Sequence, residues 1–319
     1  MMSDSGKTDT FAPANRRYQF FSQFQLQSMV LPGLAFLAIF SYVPMWGILM
    51  SFQNYKIAKG FWGSEWVWFE NFRQFFASPD FGVIMTNTLA ISAFRLLICF
   101  PAPILLALMF NEVRHVGLKR SIQTITYLPY FVSWVVVAGM VFSLFSGQDG
   151  AINALLMWAG IIKTPINFLN DGKNFWPILI GANLWKDIGF SAIIYIAAIT
   201  GINPEYYEAA EIDGAGKLAK IIYITLPSIA PQIFVLLILA ISGILNAGFE
   251  DIYLLTSNLK NGIMLPYAQV LDTHVFTMGI QSMRYSYATA VGLFKSVISV
   301  VLLVLANQAS RKVTGSSLW

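Results

Sequence analysis

Charged side chains interrupt the apolar runs of this sequence at four places. They are Arg95, the neighbours Lys186 and Asp187, the neighbours Glu250 and Asp251, and Lys295. An ionised group is costly in hydrocarbon, so each of them should face the interior of a helix bundle or a water-filled path. Two roles fit that position. The charges either contact a polar substrate, or they neutralise one another, with Lys186 or Lys295 pairing with the acidic neighbours.

Three further side chains beside these charges can bind a polar substrate. The amides of Asn183 and Asn246 can donate and accept hydrogen bonds, and the indole of Trp185 can stack on a ring. Asparagine between membrane helices is also common as packing that needs no ligand. The candidate lining of a substrate path is therefore Asn183, Trp185, Lys186, Asp187, Asn246, Glu250, Asp251 and Lys295.

Motifs for catalysis and cofactor binding are missing from the sequence. No G-x-x-x-x-G-K-[ST] is present, so the chain has no P-loop for a nucleotide. There is no H-E-x-x-H, and the two histidines, His115 and His274, fall in separate loops, which disfavours a histidine metal site. We predict that the chain has no catalytic residue, binds no metal or cofactor, and is not itself an enzyme.

Residues 203–227, here called the elbow, form the longest polar, helix-patterned segment between two apolar runs of membrane length. Asn203 and Pro204 predict a helix start, because asparagine caps free N–H groups and proline tolerates the first helical position. Gly214 and Gly216 are expected to break this helix. A second short helix, with lysines between apolar positions, is expected to end at Leu226.

The charges of the elbow exclude it from hydrocarbon unless a protein partner covers it. One interpretation is an amphipathic connector that lies in the headgroup layer. The other interpretation is a protruding helix that docks on a soluble partner.

Within the elbow, Glu208-Ala209-Ala210 is followed by three residues, Gly214, nine residues, Ile224, one residue and Leu226-Pro227. This pattern resembles the EAA loop of ABC-importer permeases. Further similarity covers FPAPILLALMFNEVR (100–114), TYLPYFVSWVVVAG (126–139), GILNAGFEDIYLL (243–255) and YATAVGLFKSV (287–297). These segments look like the subfamily that imports oligosaccharides and polysaccharide fragments. The match is weakest before residue 28 and between residues 146 and 175.

The resemblance implies a cytoplasmic elbow whose first helix inserts into a cleft on an ATPase subunit. The coupling residues that it implies are Glu208, Ala209, Ala210, Asp213 and Gly214. It also implies an assembly with a second, related permease, two ATPase subunits that hold ATP and Mg²⁺, and a soluble substrate-binding protein. The implied substrate is a sugar, in particular an oligosaccharide. The alternatives are an ion-coupled secondary sugar transporter, which would usually show an internal repeat, and a membrane-embedded enzyme.

Composition independently places the chain in a membrane. Apolar residues make up 56% of the 319 and charged residues only 11%, whereas a soluble domain carries about 25% charged residues. The formal net charge of +4 comes from basic residues in short loops, which suits anionic headgroups rather than nucleic acid. We predict an all-α, polytopic membrane protein of about six transmembrane helices, and the resemblance implies the type I ABC-importer permease architecture.

Six apolar runs reach the roughly 20 residues that a bilayer-crossing helix needs. The predicted spans one to six cover residues 28–52, 84–110, 122–145, 176–200, 228–255 and 286–306. The predicted organisation is a cytoplasmic N-terminal segment at 1–27, a transmembrane permease domain at 28–306 and a cytoplasmic tail at 307–319.

Long loops are predicted at 53–82, 146–175 and 256–285, on the side opposite the short loop at 111–121 and the elbow. The first loop is rich in Trp and Phe, which predicts an interfacial aromatic belt, with sugar stacking as the alternative. In the second loop, residues 151–162 predict a short interfacial or re-entrant helix, too short to cross.

The distribution of Lys and Arg predicts the orientation. Ten basic residues lie on the side of the termini and the elbow, and seven lie on the side of the long loops. The ten are also spread over fewer loop residues, which strengthens the bias. Because cytoplasmic loops carry the excess of basic residues, we expect both termini and the elbow in the cytoplasm. The expected location is the bacterial cytoplasmic (inner) membrane, in a multi-pass arrangement.

Overall fold

The computed structural model describes residues 28–147, 149–315 and 318. The chain divides into two units, Met1–Leu49 and Met50–Trp319. The predicted N-terminal segment at 1–27 and residues 316, 317 and 319 of the predicted tail lie outside the described residues.

The first unit consists of the larger part of span one. An α-helix over Leu31–Leu37 continues as a π-helix over Ala38–Tyr42 and a 3₁₀-helix over Val43–Phe52. Pro32 stands in the first turn, where its missing N–H breaks no intrahelical hydrogen bond. The apolar stretch Leu31–Phe52 is long enough to cross a membrane and none of its most apolar window is buried inside the protein. These apolar side chains are therefore available to lipid or to a partner helix.

The second unit is a bundle of helices joined by partly ordered loops. Its long helical stretches are Phe81–Glu112, which contains a π-helix over Arg95–Cys99, then Phe175–Thr200, Lys217–Ser242 and Tyr285–Thr314. The shorter helices of three residues or more are Gly60–Gly63, Glu70–Phe76, Val116–Tyr127, Leu128–Phe131, Trp134–Leu144, Ala151–Trp158, Phe168–Asn170, Gly172–Asn174, Pro204–Ile212, Glu250–Leu255, Leu265–Ala268, Leu271–Phe276 and Thr277–Gln281.

A two-stranded antiparallel sheet orders the first predicted loop. It pairs β1 (Gln53–Asn54) with β2 (Glu65–Trp66), with Gln53 opposite Trp66. The buried amide of Asn71 donates to the carbonyl oxygens of Ser51 at 2.9 Å and Gln53 at 3.1 Å. These bonds fix the helix Glu70–Phe76 against the strand, so the loop is a built structure and not a free connection.

Three groups of buried side chains define two ends of the bundle. One contains Ile199, which precedes the elbow, and Ile229, which follows it, and these pack with Ala107 and Leu108. Another contains Leu245, beyond the end of span five, with Tyr287 and Val291 at the start of span six. The helix Leu226–Ser242 connects the two groups, and from Ile229 to its end at Ser242 it rises about 20 Å, at about 1.5 Å per residue. We call the first group the elbow end and the second group the far end. A third group, around Leu179, Ile252 and Val270, is the remaining part of the core.

The two ends show that span three crosses the bundle although it is broken. Span two ends at Glu112 beside Lys217 of the elbow, and Phe175 of span four packs in the third group, towards the far end. The chain between them must therefore cross. It does so as Val116–Phe131 followed by Trp134–Leu144, with a bend of 102°. Pro129 and the new N-cap at Ser133, whose hydroxyl accepts from the N–H of Val136, stop one helix and start the next. With this bent pair counted as one span, the described residues contain six.

Several predicted boundaries were wrong. The loop at 111–121 is short, because a helix begins at Val116, where the His115 ring accepts a hydrogen bond from the N–H of Leu118 at 3.3 Å. The helix predicted for 151–162 ends at Trp158. The loop predicted for 256–285 contains two short α-helices and a π-helix. Span six extends at both ends, to Tyr285–Thr314.

Span five differs most from its predicted range of 228–255. Its helix starts earlier, because Lys217–Lys220 runs without a break through a π-helix over Ile221–Thr225 into Leu226–Ser242. Pro227 lies in the first turn of that last segment, so the missing N–H widens the helix into a π-turn and does not end it. The span stops at Ser242, and Glu250–Leu255 is a separate short helix.

Candidate functional sites: the elbow and the polar cluster between the spans

The first helix of the elbow covers Pro204–Ile212, and local sequence fixes both of its ends. The side chain of Asn203 accepts from the N–H of Glu205 at 3.1 Å, and Pro204 fills the first helical position. At the other end Gly214 has φ +78°, a left-handed conformation that favours glycine. The N–H of Ala215 then donates back to the carbonyl of Ala210 at 2.8 Å, which closes the helix. Gly216 lies in the same break, with an extended backbone (φ −73°, ψ 170°), and is the N-cap of the second helix.

The three glutamates of this helix differ in what they bind. Glu205 accepts from the amide of Asn203 at 3.0 Å, and Glu211 forms an ion pair with Lys220. The hydrogen bond from Lys220 holds the pKa of Glu211 below its ordinary value of 4.5. Glu208 is exposed and makes no hydrogen bond or ion pair with the residues that the structure describes. Of the three, Glu208 is therefore the one whose charge is available to a partner.

A groove runs between this helix and the start of span five. Its volume is about 540 Å³, and its walls include Tyr206, Ala209, Ala210 and Asp213 on one side and Tyr223 on the other. The first four residues share one helical face, because they are spaced by three and four positions. Ile212 is 87% exposed and Tyr223 is 78% exposed, so the elbow presents exposed apolar side chains.

Two contacts join the elbow to different spans. The hydroxyls of Tyr207 and Thr225 lie 2.9 Å apart, and Thr225 is buried in the π-turn of span five. The ammonium group of Lys217 lies 3.3 Å from the carboxylate of Glu112 at the end of span two. The elbow is also the direct continuation of span four, so a displacement of its first helix reaches three spans.

The second candidate site is a polar cluster between spans two and four and the helix Glu250–Leu255. Arg95 and Asp251 form an ion pair in which the carboxylate side chain is 7% exposed. The amide of Asn183 donates to the same carboxylate oxygen at 3.0 Å and to the carbonyl of Leu179 at 2.8 Å. A buried ion of this kind requires such additional hydrogen bonds, because desolvation is otherwise not compensated.

Gly248 allows this cluster to close. Its φ is +99°, and a Cβ there would lie 2.6 Å from a carboxylate oxygen of Asp251 and 2.9 Å from the guanidinium of Arg95. A side chain would therefore both strain the backbone and separate the two charges.

A small cavity of about 160 Å³ adjoins the cluster. Ser92, Arg95 and Asn246 line it with apolar neighbours. The Ser92 hydroxyl and the Arg95 Nε are buried and have no hydrogen-bond partner in the described part of the chain. Both atoms can therefore form a further hydrogen bond, which buried polar atoms normally have.

Lys186 is buried in span four and is bound by backbone. Its ammonium donates to the carbonyls of Tyr130 at 2.6 Å and Val132 at 2.7 Å and lies 5.3 Å from the centre of the Tyr130 ring. The bend in span three frees these carbonyls, so Lys186 stabilises the bend. Asp187 is half-buried, and Lys186, Arg95 and Asp251 are the charges that act on it.

The predicted neutralising pairs were wrong in their partners. In the described part of the chain neither Lys186 nor Lys295 pairs with Glu250 or Asp251. Lys295 forms an ion pair with Asp272 in the third long loop, and Glu250 is exposed in the first turn of its helix. Trp185 is 44% exposed beside a mostly apolar pocket of about 360 Å³.

The predicted path residues therefore separate into two sets. Asn183, Asp187, Asn246 and Asp251 lie in or beside the cluster with Arg95, and Lys186 adjoins it. Trp185, Glu250 and Lys295 lie elsewhere. Sequence reasoning noted Arg95 without its partner and missed Ser92 and Gly248. The pattern Asn-Ala-Gly before Glu250 was the available signal, because it marks a chain break at the end of an apolar run.

Metal ligands are not grouped in the described ranges, which contain no set of three or more His, Cys, Asp or Glu that could hold an ion.

Comparison with known proteins gives a consistent result. The pattern of the family "Binding-protein-dependent transport system inner membrane component" matches residues 100–315. Protein LplB of Bacillus subtilis (strain 168) is 45% identical over 287 residues, covering 90% of this chain and 88% of the relative. The polygalacturonan/rhamnogalacturonan transport system permease protein YteP of the same organism is 44% identical with the same coverage.

Solved structures agree with these relatives. A chain of a bacterial ABC transporter involved in the import of the acidic polysaccharide alginate is 40% identical, with a TM-score of 0.85, and the match covers 94% of this chain and 100% of that one. A second structure shows a bacterial alginate ABC transporter in complex with an alginate pentasaccharide-bound periplasmic protein. Its matching chain is also 40% identical with a TM-score of 0.85, and the match covers 94% of this chain and 99% of that one. These comparisons give no support to an ion-coupled transporter or to a membrane enzyme.

Proposed function

This chain belongs to the binding-protein-dependent transport system inner membrane components, and we propose that with a second, related permease it forms the path for an oligosaccharide. It is a permease subunit of a sugar ABC importer. The single observation that carries the coupling role is the elbow, whose protruding helix leaves Glu208 free. The sugar is delivered by a soluble binding protein, as in the alginate transporter complex.

The elbow docks on a separate ATPase subunit in the cytoplasm. The excess of basic residues on the elbow side supports this orientation, which also places both termini in the cytoplasm. The exposed apolar side chains of Ile212 and Tyr223 need a protein partner, and Glu208 needs a basic one. Ala209, Ala210, Asp213 and Gly214 shape the docking surface. ATP and Mg²⁺ are held by the two ATPase subunits, and this chain holds no nucleotide.

Movement of the elbow is transmitted to the spans as rigid bodies. When the ATPase subunits close, the helix Pro204–Ile212 moves with them and carries span four directly. The Tyr207–Thr225 contact carries span five, and the Lys217–Glu112 pair carries span two. A rocking of these helices alternates access between the two sides of the membrane.

The polar cluster lines the substrate path. Asn183, Asp187 and Asn246 offer hydrogen bonds to sugar hydroxyls, and the Ser92 hydroxyl and Arg95 Nε offer a donor or acceptor that lacks a partner. The ion pair of Arg95 with Asp251 holds these groups in place. Among the relatives, YteP and the alginate transporter are named for acidic polysaccharides, and we extend that substrate class to this chain.

The substitution Glu208→Lys tests the coupling role. In the complex with its partner permease and ATPase, reconstituted in liposomes, we expect the variant to insert normally but to lose ATPase stimulation by sugar-loaded binding protein and sugar uptake. The control is Glu65→Lys, the same change at an exposed glutamate in the sheet strand β2, which should leave both activities unchanged. Normal uptake by Glu208→Lys would overturn the coupling role of this residue.

A further inference from the structure

A second polar cleft lies at the far end of the bundle, away from both sites described above. Its volume is about 430 Å³, within the range of small-molecule sites. One wall is the first loop, with Asn54, Glu70 and Gln74. The other wall is the start of span six, with Arg284, Tyr285 and Tyr287.

The polar side chains of the cleft form one connected network. Gln74 donates to Glu70 at 3.2 Å and accepts from Arg284 at 3.0 Å. Glu70 also accepts two hydrogen bonds from Arg73, each at 2.7 Å. The bonds from Arg73 and then Gln74 lower the pKa of Glu70 from 4.5 to about 2, so its carboxylate stays ionised at physiological pH.

The aromatic side of the cleft is equally fixed. The guanidinium of Arg284 lies 4.4 Å from the centre of the Tyr287 ring. The Tyr287 hydroxyl is 3.0 Å from Nε2 of the buried His274, and burial lowers the pKa of that histidine, so its ring is neutral at pH 7. The backbone N–H of Tyr55 donates to the Ser286 hydroxyl at 2.8 Å, which ties the two walls together.

This combination of groups is suited to a saccharide. Planar amide, carboxylate and guanidinium groups held in a network can each bind a sugar hydroxyl in a defined direction. The ring of the half-buried Tyr285 can pack on the apolar face of a sugar ring, whereas Tyr287 is buried and positions Arg284. Arg284 uses one terminal nitrogen on Gln74 in the described residues, so its other N–H groups can bind a carboxylate or a hydroxyl. A lipid tail is disfavoured by the polar lining.

We propose that this cleft is a saccharide-binding subsite at the mouth of the path, distinct from the cluster around Arg95 and Asp251. It receives sugar units of an oligosaccharide as the chain leaves the binding protein. The proposal rests on the proposed function, because it places the far end on the side where the sugar arrives.

Photoaffinity labelling tests the subsite without relying on transport. The probes are two diazirine-labelled hexasaccharides, an oligogalacturonide and a neutral arabino-oligosaccharide, added to the full complex in nanodiscs without ATP or binding protein. We expect at least one probe to label the peptide that contains Met283 and Tyr285, and excess unlabelled saccharide to suppress that labelling. The double variant Gln74→Ala/Arg284→Ala should reduce labelling about tenfold or more, since hydrogen bonds to charged groups are lost.

The controls separate the subsite from the protein fold and from the path. Gln281→Ala/Lys59→Ala likewise removes one amide and one cationic side chain, but from exposed positions of the far end outside the cleft. Labelling of this control variant should equal that of the wild type. Arg284→Lys keeps the charge but not the planar fork and should label weakly. Asp187→Asn, in the path, should retain cleft labelling.

Two results would overturn the proposal. They are absence of labelling in a complex that takes up the saccharide, and unchanged labelling in the double variant. If that normally labelled variant also binds the binding protein more weakly, the cleft is a protein interface. Uptake of the probes by the wild-type complex is measured in parallel and reports on the proposed function alone.

Discussion

The ion pair between Arg95 and Asp251 gives the sharpest stability prediction. Asp251→Asn keeps the shape of the side chain but removes its charge, and the Arg95 guanidinium is then left without its counter-charge. Removal of one partner of a buried pair typically costs about 3–5 kcal/mol. Because the Arg95 side chain is 23% exposed and the Asp251 side chain 7%, we expect the lower end of that range, about 3 kcal/mol in the free energy of unfolding.

Replacement of both charges should cost much less. In Arg95→Met/Asp251→Leu neither charge of the pair is left without its partner, and Asn183 loses one acceptor while it keeps the carbonyl of Leu179. One lost hydrogen bond costs about 1 kcal/mol, so the double variant should be more stable than Asp251→Asn.

Equilibrium unfolding by SDS in mixed micelles, followed by tryptophan fluorescence, measures these differences. Asp80→Asn is the matched control, because Asp80 is an exposed carboxylate at the far end without an ion pair in the described residues. It should lie within about 0.5 kcal/mol of the wild type. A cost below about 1 kcal/mol for Asp251→Asn, or a double variant that loses the sum of its single losses, would refute the reasoning.

Two further predictions concern local geometry. Gly248→Ala should lower the unfolding free energy by about 1–3 kcal/mol in the same assay. The φ of +99° at this position is strained for alanine, and the alanine Cβ would press on Asp251. An unchanged unfolding free energy would mean that the cluster does not close around Gly248. The ion pair of Glu211 with Lys220 lowers the folded-state pKa of Glu211, so its stabilising effect is present above the ordinary value of 4.5 and lost as pH falls below it. The difference in melting temperature between wild type and Glu211→Gln should therefore be constant between about pH 8 and pH 5.5 and disappear in stronger acid, and a difference that vanished near neutral pH would contradict this assignment.

Sequence alone predicted the elements that depend on local chemistry. Apolar runs located the spans, because a bilayer requires about 20 residues regardless of their neighbours. The start of the elbow helix at Asn203 and its end at Gly214 followed from capping and backbone preferences that need no tertiary contact. The boundaries of spans two and four and of the elbow helix agree with the prediction within a few residues.

Tertiary choices could not be predicted in the same way. The sequence showed that Lys186 and Lys295 must be compensated, but the compensating groups are carbonyls freed by the bend at Pro129 and the carboxylate of Asp272 in the short helix Leu271–Phe276. Both partners depend on how the spans pack. The extent of span five was missed for a related reason, since Pro227 was interpreted as a helix boundary whereas the chain accommodates it as a π-turn.

The contacts of span four suggest how the elbow and the path are connected. One helix of 26 residues carries Asn183 and Lys186 and continues into the elbow. In the proposed mechanism a displacement at the elbow therefore moves Asn183 relative to Asp251, which belongs to a separate short helix beyond span five. Their hydrogen bond of 3.0 Å must then lengthen or shift. During that movement Asp251 stays paired with Arg95. Because an unpaired buried carboxylate would be costly, this is a physical reason for a buried ion pair at this position.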